Sequence, residues 1–486
     1  MVMRLWVLLL AVTPLAAQWP QFRGPNASGV AVARNLPVEF GPGKNVVWKT
    51  ELPAGHSSPV IAGGRIFLTA AEGEKLAVAG DKVTDAGEGK LWTLCLDQRT
   101  GKILWKKEAP KPRSEQRQRT NSAASPSPVT DGSNVYVFFG DFGLIAYGAD
   151  GTERWKMPLG PFNNQNGQVT SPILAGNLLI LVCDQDAGSY MIAVDKETGR
   201  VKWRIERPEV TRGYGTPVIF TPKEGPAELI VPGAYKLIAY NVETGEKLWW
   251  VRGMSWHPKP TPVIAGDMIY TVSVDSGGEV ETPTETPTWE ETLAAYDADK
   301  DGKLGMQEMP ARMQSPNAGI DLNLDGMLSQ QEWEFYRARR SSLNALLAVR
   351  HGGRGDLTAT NVVWHMQKFL PNVTSPLYHE GVLYLIKDGG ILTSLNPATG
   401  AILKQYLLTA ALWQYWASPV AADGKIYMVS EEGKVTVLKA GAQWEVLATN
   451  DLDDTVFATP AIAGDRMYWR THSALYCFAN VDSPKQ

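Results

Sequence analysis

Cysteine is scarce in this chain of 486 residues: there are three, at 95, 183 and 477, and no two are adjacent. That excludes a disulfide framework as the source of stability. The six histidines show no His-x-x-x-His or similar spacing, so nothing indicates a metal centre built on imidazoles. Neither sign of charge dominates: 47 Lys and Arg against 51 Asp and Glu leave a net charge of −4, which gives no electrostatic case for nucleic acid. Gly-x-Ser-x-Gly elbows and phosphate loops are missing as well. Long apolar runs are missing beyond the N-terminus. There, Arg4 precedes an apolar run from Leu5 to Val12 and then Pro14-Leu15-Ala16-Ala17-Gln18. This pattern predicts a secretory signal peptide over residues 1–17, with cleavage near Ala17. No cysteine follows the run, so no lipid anchor is expected. The expected product is a periplasmic or secreted monomer without a membrane span. The three cysteines sit in apolar strand contexts and read as buried free thiols. The alternative is a Cys95–Cys477 bridge, since the two fall at similar places in their repeats.

Glycine and proline are plentiful, at 46 and 32, and they mark a repeat. A Ser/Thr-Pro pair leading into a short apolar strand recurs at Pro59, Pro128, Pro172, Pro217, Pro262, Pro376, Pro419 and Pro460. Subtraction gives spacings of 69, 44, 45, 45, 114, 43 and 41. A period of about 40–50 residues is that of propeller blades and kelch-like arrays, whose units cannot bury an apolar face alone. Each unit is rich in β-branched and aromatic residues, as in Lys425-Ile-Tyr-Met-Val429. A turn follows, such as Asp195-Lys-Glu-Thr-Gly199, in which Asx opens the turn and Gly supplies the positive φ. The outer strand beyond it ends in Trp105, Trp155, Trp203 or Trp249. The last unit lacks a fourth strand. Asn45-Val-Val-Trp-Lys49 precedes the first unit and matches Asn361-Val-Val-Trp-His365. The N-terminal strand therefore completes the last unit and leaves no open edge.

The Thr-Gly turns, the Ser-Pro-Val phrases, Trp19-Pro-Gln-Phe-Arg-Gly-Pro-Asn26 and the stretch from Arg354 to Trp364 resemble the PQQ-binding-like repeats of quinoprotein alcohol dehydrogenases and of the outer-membrane barrel-assembly lipoprotein, in a bacterial extracytoplasmic subgroup. The expected fold is all-β: an eight-bladed β-propeller closed by the N-terminal strand, with a small α-helical EF-hand insertion in blade 5. The expected units are the propeller over 19–285 and 346–482 and the insertion over 286–345.

The spacing of 114 exceeds one blade, and its excess carries the strongest chemical motif. Asp297, Asp299, Asp301, Lys303 through its carbonyl, and Glu308 stand at EF-hand loop positions 1, 3, 5, 7 and 12, with Gly302 at the bend. A second loop follows with Asp321, Asn323, Asp325, Met327 and Glu332. Hard oxygen ligands at this spacing select Ca²⁺. Only residues 309–320 lie between the loops, and they include Pro310 and Pro316. The second hand's entering helix must be short or missing.

Two places before each Ser/Thr-Pro pair stand His56, Ser125, Val169, Tyr214, Lys259, Val373, Trp416 and Phe457, with Arg212, Trp256, His257 and Tyr415 close by. These should ring the channel mouth. His56, Tyr214, Lys259 and Trp416 are the candidate ligand contacts. The resemblance implies PQQ as a cofactor, which such a ring could stack and pair with. The family's enzymes also need a bound calcium, an aspartate base and usually a disulfide between adjacent cysteines, and no segment here matches those. No catalytic residue is assigned. The expected function is an extracytoplasmic calcium-binding propeller serving as a ligand-binding or protein-scaffold module; the alternative is a PQQ-dependent dehydrogenase of an alcohol or sugar. Arg354-Gly355-Asp356 reads as a blade loop, and the basic run from Lys111 to Arg119 as a solvated loop between blades.

Overall fold

The computed structural model describes residues 18–275, 284–315 and 318–481, so the expected signal peptide lies outside the described residues. The repeats form four-stranded antiparallel sheets that follow one another along the chain. The third is representative. Ile173–Ala175, Leu178–Cys183, Tyr190–Asp195 and Val201–Glu206 pair in chain order, and their central strands are buried except at the terminal Asp195. Burial on both faces explains why the central strands carry continuous Val/Ile/Leu runs instead of alternating with polar residues.

Two devices join neighbouring sheets. Inside, at six junctions, the backbone N–H of one repeat's Ser or Thr donates to the hydroxyl of the next repeat's Ser or Thr. Ser58 to Ser127, Ser127 to Ser171, Ser171 to Thr216, Thr261 to Ser375, Ser375 to Ser418 and Ser418 to Thr459 measure 2.9–3.2 Å. All these residues are buried. Outside, a tryptophan lies on the glycine of the next sheet's turn. A Cβ on Gly151, Gly199, Gly245 or Gly400 would strike Trp105, Trp155, Trp203 or Trp364 within 3.0 Å. These glycines also have positive φ. Each tryptophan is placed just after a register shift, near the start of its strand and not at its end as the sequence suggested. The bulge turns the indole toward the neighbouring sheet.

At the seam, Val46–Glu51 pairs with Ala474–Phe478. Trp48 then takes the outer-tryptophan position, with its ring 2.4 Å from a Cβ built on Gly101. From the same sheet, Arg470 donates to Ser57 and to the Thr69 carbonyl of the first sheet. Residues 19–40 run across the first strands. Trp19 pairs with Ile61, Pro20 accepts from Thr130, Asn26 exchanges two hydrogen bonds with Ile219, and Ala31 donates to Ala421.

The two long spacings are excursions. Between Arg65–Glu72 and Lys90–Asp97 the chain forms the hairpin Leu76–Ala79 and Lys82–Asp85, joined by Arg117–Gln118. The basic run from Lys111 to Arg119 is therefore only partly solvated: Arg119 is exposed, but two of its cations are not. Arg117 is buried against Glu74 at 2.8 Å, and Lys111 is buried against Asp85. The second excursion leaves after Met268–Ser273 and returns at Ala345–Arg350. It carries helix α1, Trp289–Tyr296, and helix α2, Gln330–Ser341. Gly355–Asp356 adds a short parallel strand beside Trp249 and Trp250. Cys95, Cys183 and Cys477 are free and buried, so Cys95 and Cys477 do not bridge. Burial pushes each thiol up to about 12.

Replacing Ser375 with Ala leaves the buried Thr261 amide without its acceptor. We expect a loss of about 1–3 kcal/mol, read as a lower denaturation midpoint at unchanged m-value. An unchanged midpoint would show that the hydroxyl chain adds nothing to stability.

Candidate functional site: a central cavity and two acidic loops

The residues two places before the Ser/Thr-Pro pairs face one space. His56, Ser125, Val169, Tyr214, Lys259, Val373, Trp416 and Phe457 all line a single cavity of about 600 Å³, a volume that suits a small-molecule ligand. The wall has two sides. On one, His56 stacks on Phe457 at 4.1 Å, Trp416 lies 6.1 Å from Phe457, and the Trp416 indole donates to Glu431. Burial among cations, chiefly Arg470 after desolvation, drives His56 down to about 3 and keeps it neutral.

On the other side stand Arg212, Trp256, His257 and Lys259. The Arg212 guanidinium lies 4.7 Å from the Trp256 ring and that of Arg339 lies 3.7 Å from it, while His257 packs against it at 4.0 Å. Arg212 is ion-paired with Asp186, and Arg339 with Asp275 at 3.0 Å. Desolvation, with Lys259, Arg212, Arg339 and Lys82 around it, holds His257 well below its ordinary value. Lys259 donates to the neutral side chain of Asn372 at 2.9 Å. Burial lowers it to about 8, although Asp275 and Asp388 pull upward. The Tyr214 hydroxyl accepts from Asn166 and donates to Asn164. Tyr415 does not reach the cavity: it is buried in the apolar core, with its hydroxyl on the Ala411 carbonyl.

Several lining residues carry no periodic signal. Arg339 and Gly319 come from the second excursion, Asp81, Lys82 and Gln118 from the first, and Phe22 from the N-terminal segment. Nothing in the repeat predicts them, because they belong to its interruptions.

In the second excursion the two twelve-residue loops fold alike. Gly302 N–H donates to Asp297 and Gly326 N–H to Asp321, each pair at 2.9–3.0 Å. Glu308 accepts from the amides of Ala298 and Gly305, and Glu332 from those of Leu322 and Ser329. Leu304–Gly305 and Met327–Leu328 pair as a two-residue ladder. Between the loops a 3-10 turn, Ala311–Met313, stands in place of a full helix. Oxygens of Asp297, Asp299 and Glu308 lie within 4.8 Å of one another. Asp301 instead accepts from the Lys303 amide. In the second loop Asn323 donates its amide to Asp325, while Asp321 Oδ1 is buried without a partner. A cation would satisfy that orphan oxygen, so the donor set fits a hard divalent ion in the first loop and, less completely gathered, in the second.

The cavity does not fit a quinone with a bound metal. Its one acidic lining residue, Asp81, already pairs with Lys82. The only cluster of three metal-capable side chains among the described residues is the one in the insertion. Guanidinium groups also lie against the Trp256 ring.

A repeat-family model described as outer membrane protein assembly factor BamB matches residues 92–298, 222–412 and 289–486. No curated protein matches the sequence. Among solved structures, BamB from Moraxella catarrhalis is similar at 13% identity, covering 85% of this chain and 96% of that one, with a TM-score of 0.50. A europium-containing methanol dehydrogenase is similar at 11% identity, over 95% and 98%, with a TM-score of 0.58. A quinohemoprotein alcohol dehydrogenase from Comamonas testosteroni is similar at 12%, over 98% and 83%, with a TM-score of 0.56. At these identities the likeness speaks for the fold alone, a mostly β propeller of PQQ-like repeats.

Lys259 offers a test of the cavity's charge. Its folded value of about 8 lies below the unfolded 10.5, so between those values the unfolded chain binds the extra proton and stability rises with pH. Below that window the burial penalty is at its full size. Urea midpoints of the natural protein should therefore climb with pH across this window relative to Lys259→Met, and parallel curves would show that Lys259 is not desolvated.

Proposed function

We propose a function from one premise: the chain belongs to the PQQ-repeat family whose model is described as outer membrane protein assembly factor BamB. Within it, this protein is an extracytoplasmic binding module: an eight-bladed propeller, closed by its N-terminal strand, whose central cavity takes a ligand and whose insertion, spanning roughly 286–345, is an EF-hand pair that holds calcium. The signal-like N-terminus supports export. Among the described residues no helix is long and apolar enough to cross a membrane.

The observation that carries this reading is a division of charge. Cationic and aromatic side chains converge on the cavity, while the gathered carboxylates lie in the insertion. Calcium would be held by Asp297, Asp299, Asp301, the Lys303 carbonyl and Glu308, and in the second loop by Asp321, Asn323, Asp325, the Met327 carbonyl and Glu332. Its chemistry there is structural: the ion neutralises carboxylates that otherwise repel, and it fixes the start of α2 through Glu332. A protein partner is the second reading, favoured by the exposure of Leu412 at 51% and Trp413 at 54% side by side.

Calcium should raise the melting temperature, since an ion that binds only the folded loop at a hundredfold excess over its Kd adds about 2.7 kcal/mol. In Glu308→Gln most of that increment should vanish, and a full calcium response in this variant would remove the first loop from the assignment. Calorimetric titration of the calcium-loaded protein with PQQ, paired with a dye-linked alcohol oxidation assay, should show no turnover whether or not PQQ binds. Tight binding with turnover would make the protein a quinone-dependent dehydrogenase and overturn the binding-module reading.

A further inference from the structure

The cationic side of the cavity carries hydrogen-bonding capacity that the chain itself does not fill. Arg212 is 6% exposed and lines the cavity. It spends its Nε on Asp186, and its Nη1 lies 3.5 Å from His257. Its Nη2 is buried with no hydrogen-bond partner. An unpaired guanidinium N–H out of contact with water is costly, and a ligand oxygen would remove that cost. Lys259 lines the same wall and hydrogen-bonds a neutral amide instead of a carboxylate. Arg339 reaches in from α2. Around His257 the charges of Lys259, Arg212, Arg339 and Lys82 all act at once. Carboxylates form ion pairs with three of these cations, through Asp186, Asp275 and Asp81, while Lys259 feels Asp275 and Asp388 only at longer range and has a neutral amide as its hydrogen-bond partner.

The same wall limits the ligand's shape. Arg212, Arg339 and His257 crowd the Trp256 ring, which leaves no clear face for a flat ring to stack there. The aromatic surface that remains is on the opposite side, at Trp416 and Phe457.

We propose that this wall binds the oxyanion of an amphipathic ligand, a carboxylate, sulfate or phosphate head held by Lys259, Arg212 Nη2 and Arg339, with an apolar or ring-bearing body against Trp416 and Phe457. The proposal rests on the reading of the cavity as a binding site and adds the ligand's chemical class. The site straddles the repeats and the insertion, since Arg212 and Lys259 come from the segments that lead from one sheet into the next and Arg339 from α2. Neither part holds it alone.

The test uses the calcium-loaded mature protein at low salt and three probes in calorimetry: 2-naphthoate, its neutral isostere 2-naphthamide, and inorganic sulfate. Saturable 2-naphthoate binding is expected, with sulfate competing. Loss of a charge-assisted hydrogen bond should make 2-naphthamide at least about tenfold weaker. Lys259→Met and Arg339→Gln should each weaken 2-naphthoate by a similar factor. Lys259→Met should also melt higher than the natural protein, because a buried ammonium kept for a ligand strains the empty site. A role in folding alone would not give lost binding together with raised stability. For Arg339→Gln an unchanged circular dichroism spectrum and calcium response show that the fold is retained. Equal binding of 2-naphthoate and 2-naphthamide would overturn the oxyanion head and leave the cavity a binding site. Failure of every probe to saturate would remove both readings. Unaltered 2-naphthoate affinity in Lys259→Met would place the anion elsewhere and overturn the assignment.

Discussion

At six junctions between repeats a buried backbone amide finds its acceptor in the next repeat. Proline has no N–H, so in each Ser/Thr-Pro pair the amide left to satisfy is that of the Ser or Thr. At Ser58, Ser127, Ser171, Thr261, Ser375 and Ser418 the next repeat's hydroxyl meets it at 2.9–3.2 Å. A two-residue phrase thus acts as donor to one neighbour and acceptor to the other. Loss of any member leaves a buried polar group unpaired, which explains why the repeat varies in length while the phrase persists through it. Trp48, Trp105, Trp155, Trp203 and Trp364 do the corresponding work in apolar terms, each filling the space that a glycine's missing Cβ leaves in the next sheet, whereas Trp249 donates its indole N–H to Glu228 instead.

This division of labour frees the cavity. The positions two places earlier join repeats through the backbone, as at His56 and Tyr214, so their side chains can vary without disturbing the sheets. In this chain they carry His, Ser, Val, Tyr, Lys, Val, Trp and Phe, and the wall they form is aromatic on one side and cationic on the other. The same scaffold in related folds therefore says little about what is bound.

The same logic sets what could be read from the sequence. A period near 44 residues identifies the sheets, and counting back from each proline finds eight lining residues, because in a propeller sequence offset and radial position are one variable. Tyr415 escapes this rule: it stands next to Trp416, and adjacent residues on an extended segment point opposite ways, so it enters the core. The run from Lys111 to Arg119 looked solvated because its partners, Glu74 and Asp85, come from a hairpin more than twenty residues away. Arg339 was illegible for a related reason. It lies on a helix whose sequence signals concern the loop before it, and only docking brings it to the cavity.

That docking fixes how the insertion relates to the cavity. Helix α2 has twelve residues, a length that is marginal in isolation, so tertiary contacts must hold it. Trp333 anchors it in the insertion's own core. Outward, Gln331 donates to the Pro208 carbonyl, Phe335 accepts from Tyr235, and Arg339 pairs with Asp275. From the other side, Asn163 donates to the carbonyl of Leu322 inside the second loop. Glu332 and Arg339 stand seven positions apart on the same helix, about 10 Å along its axis. One rigid element therefore carries a carboxylate of an acidic loop at its start and a guanidinium of the cavity wall near its end.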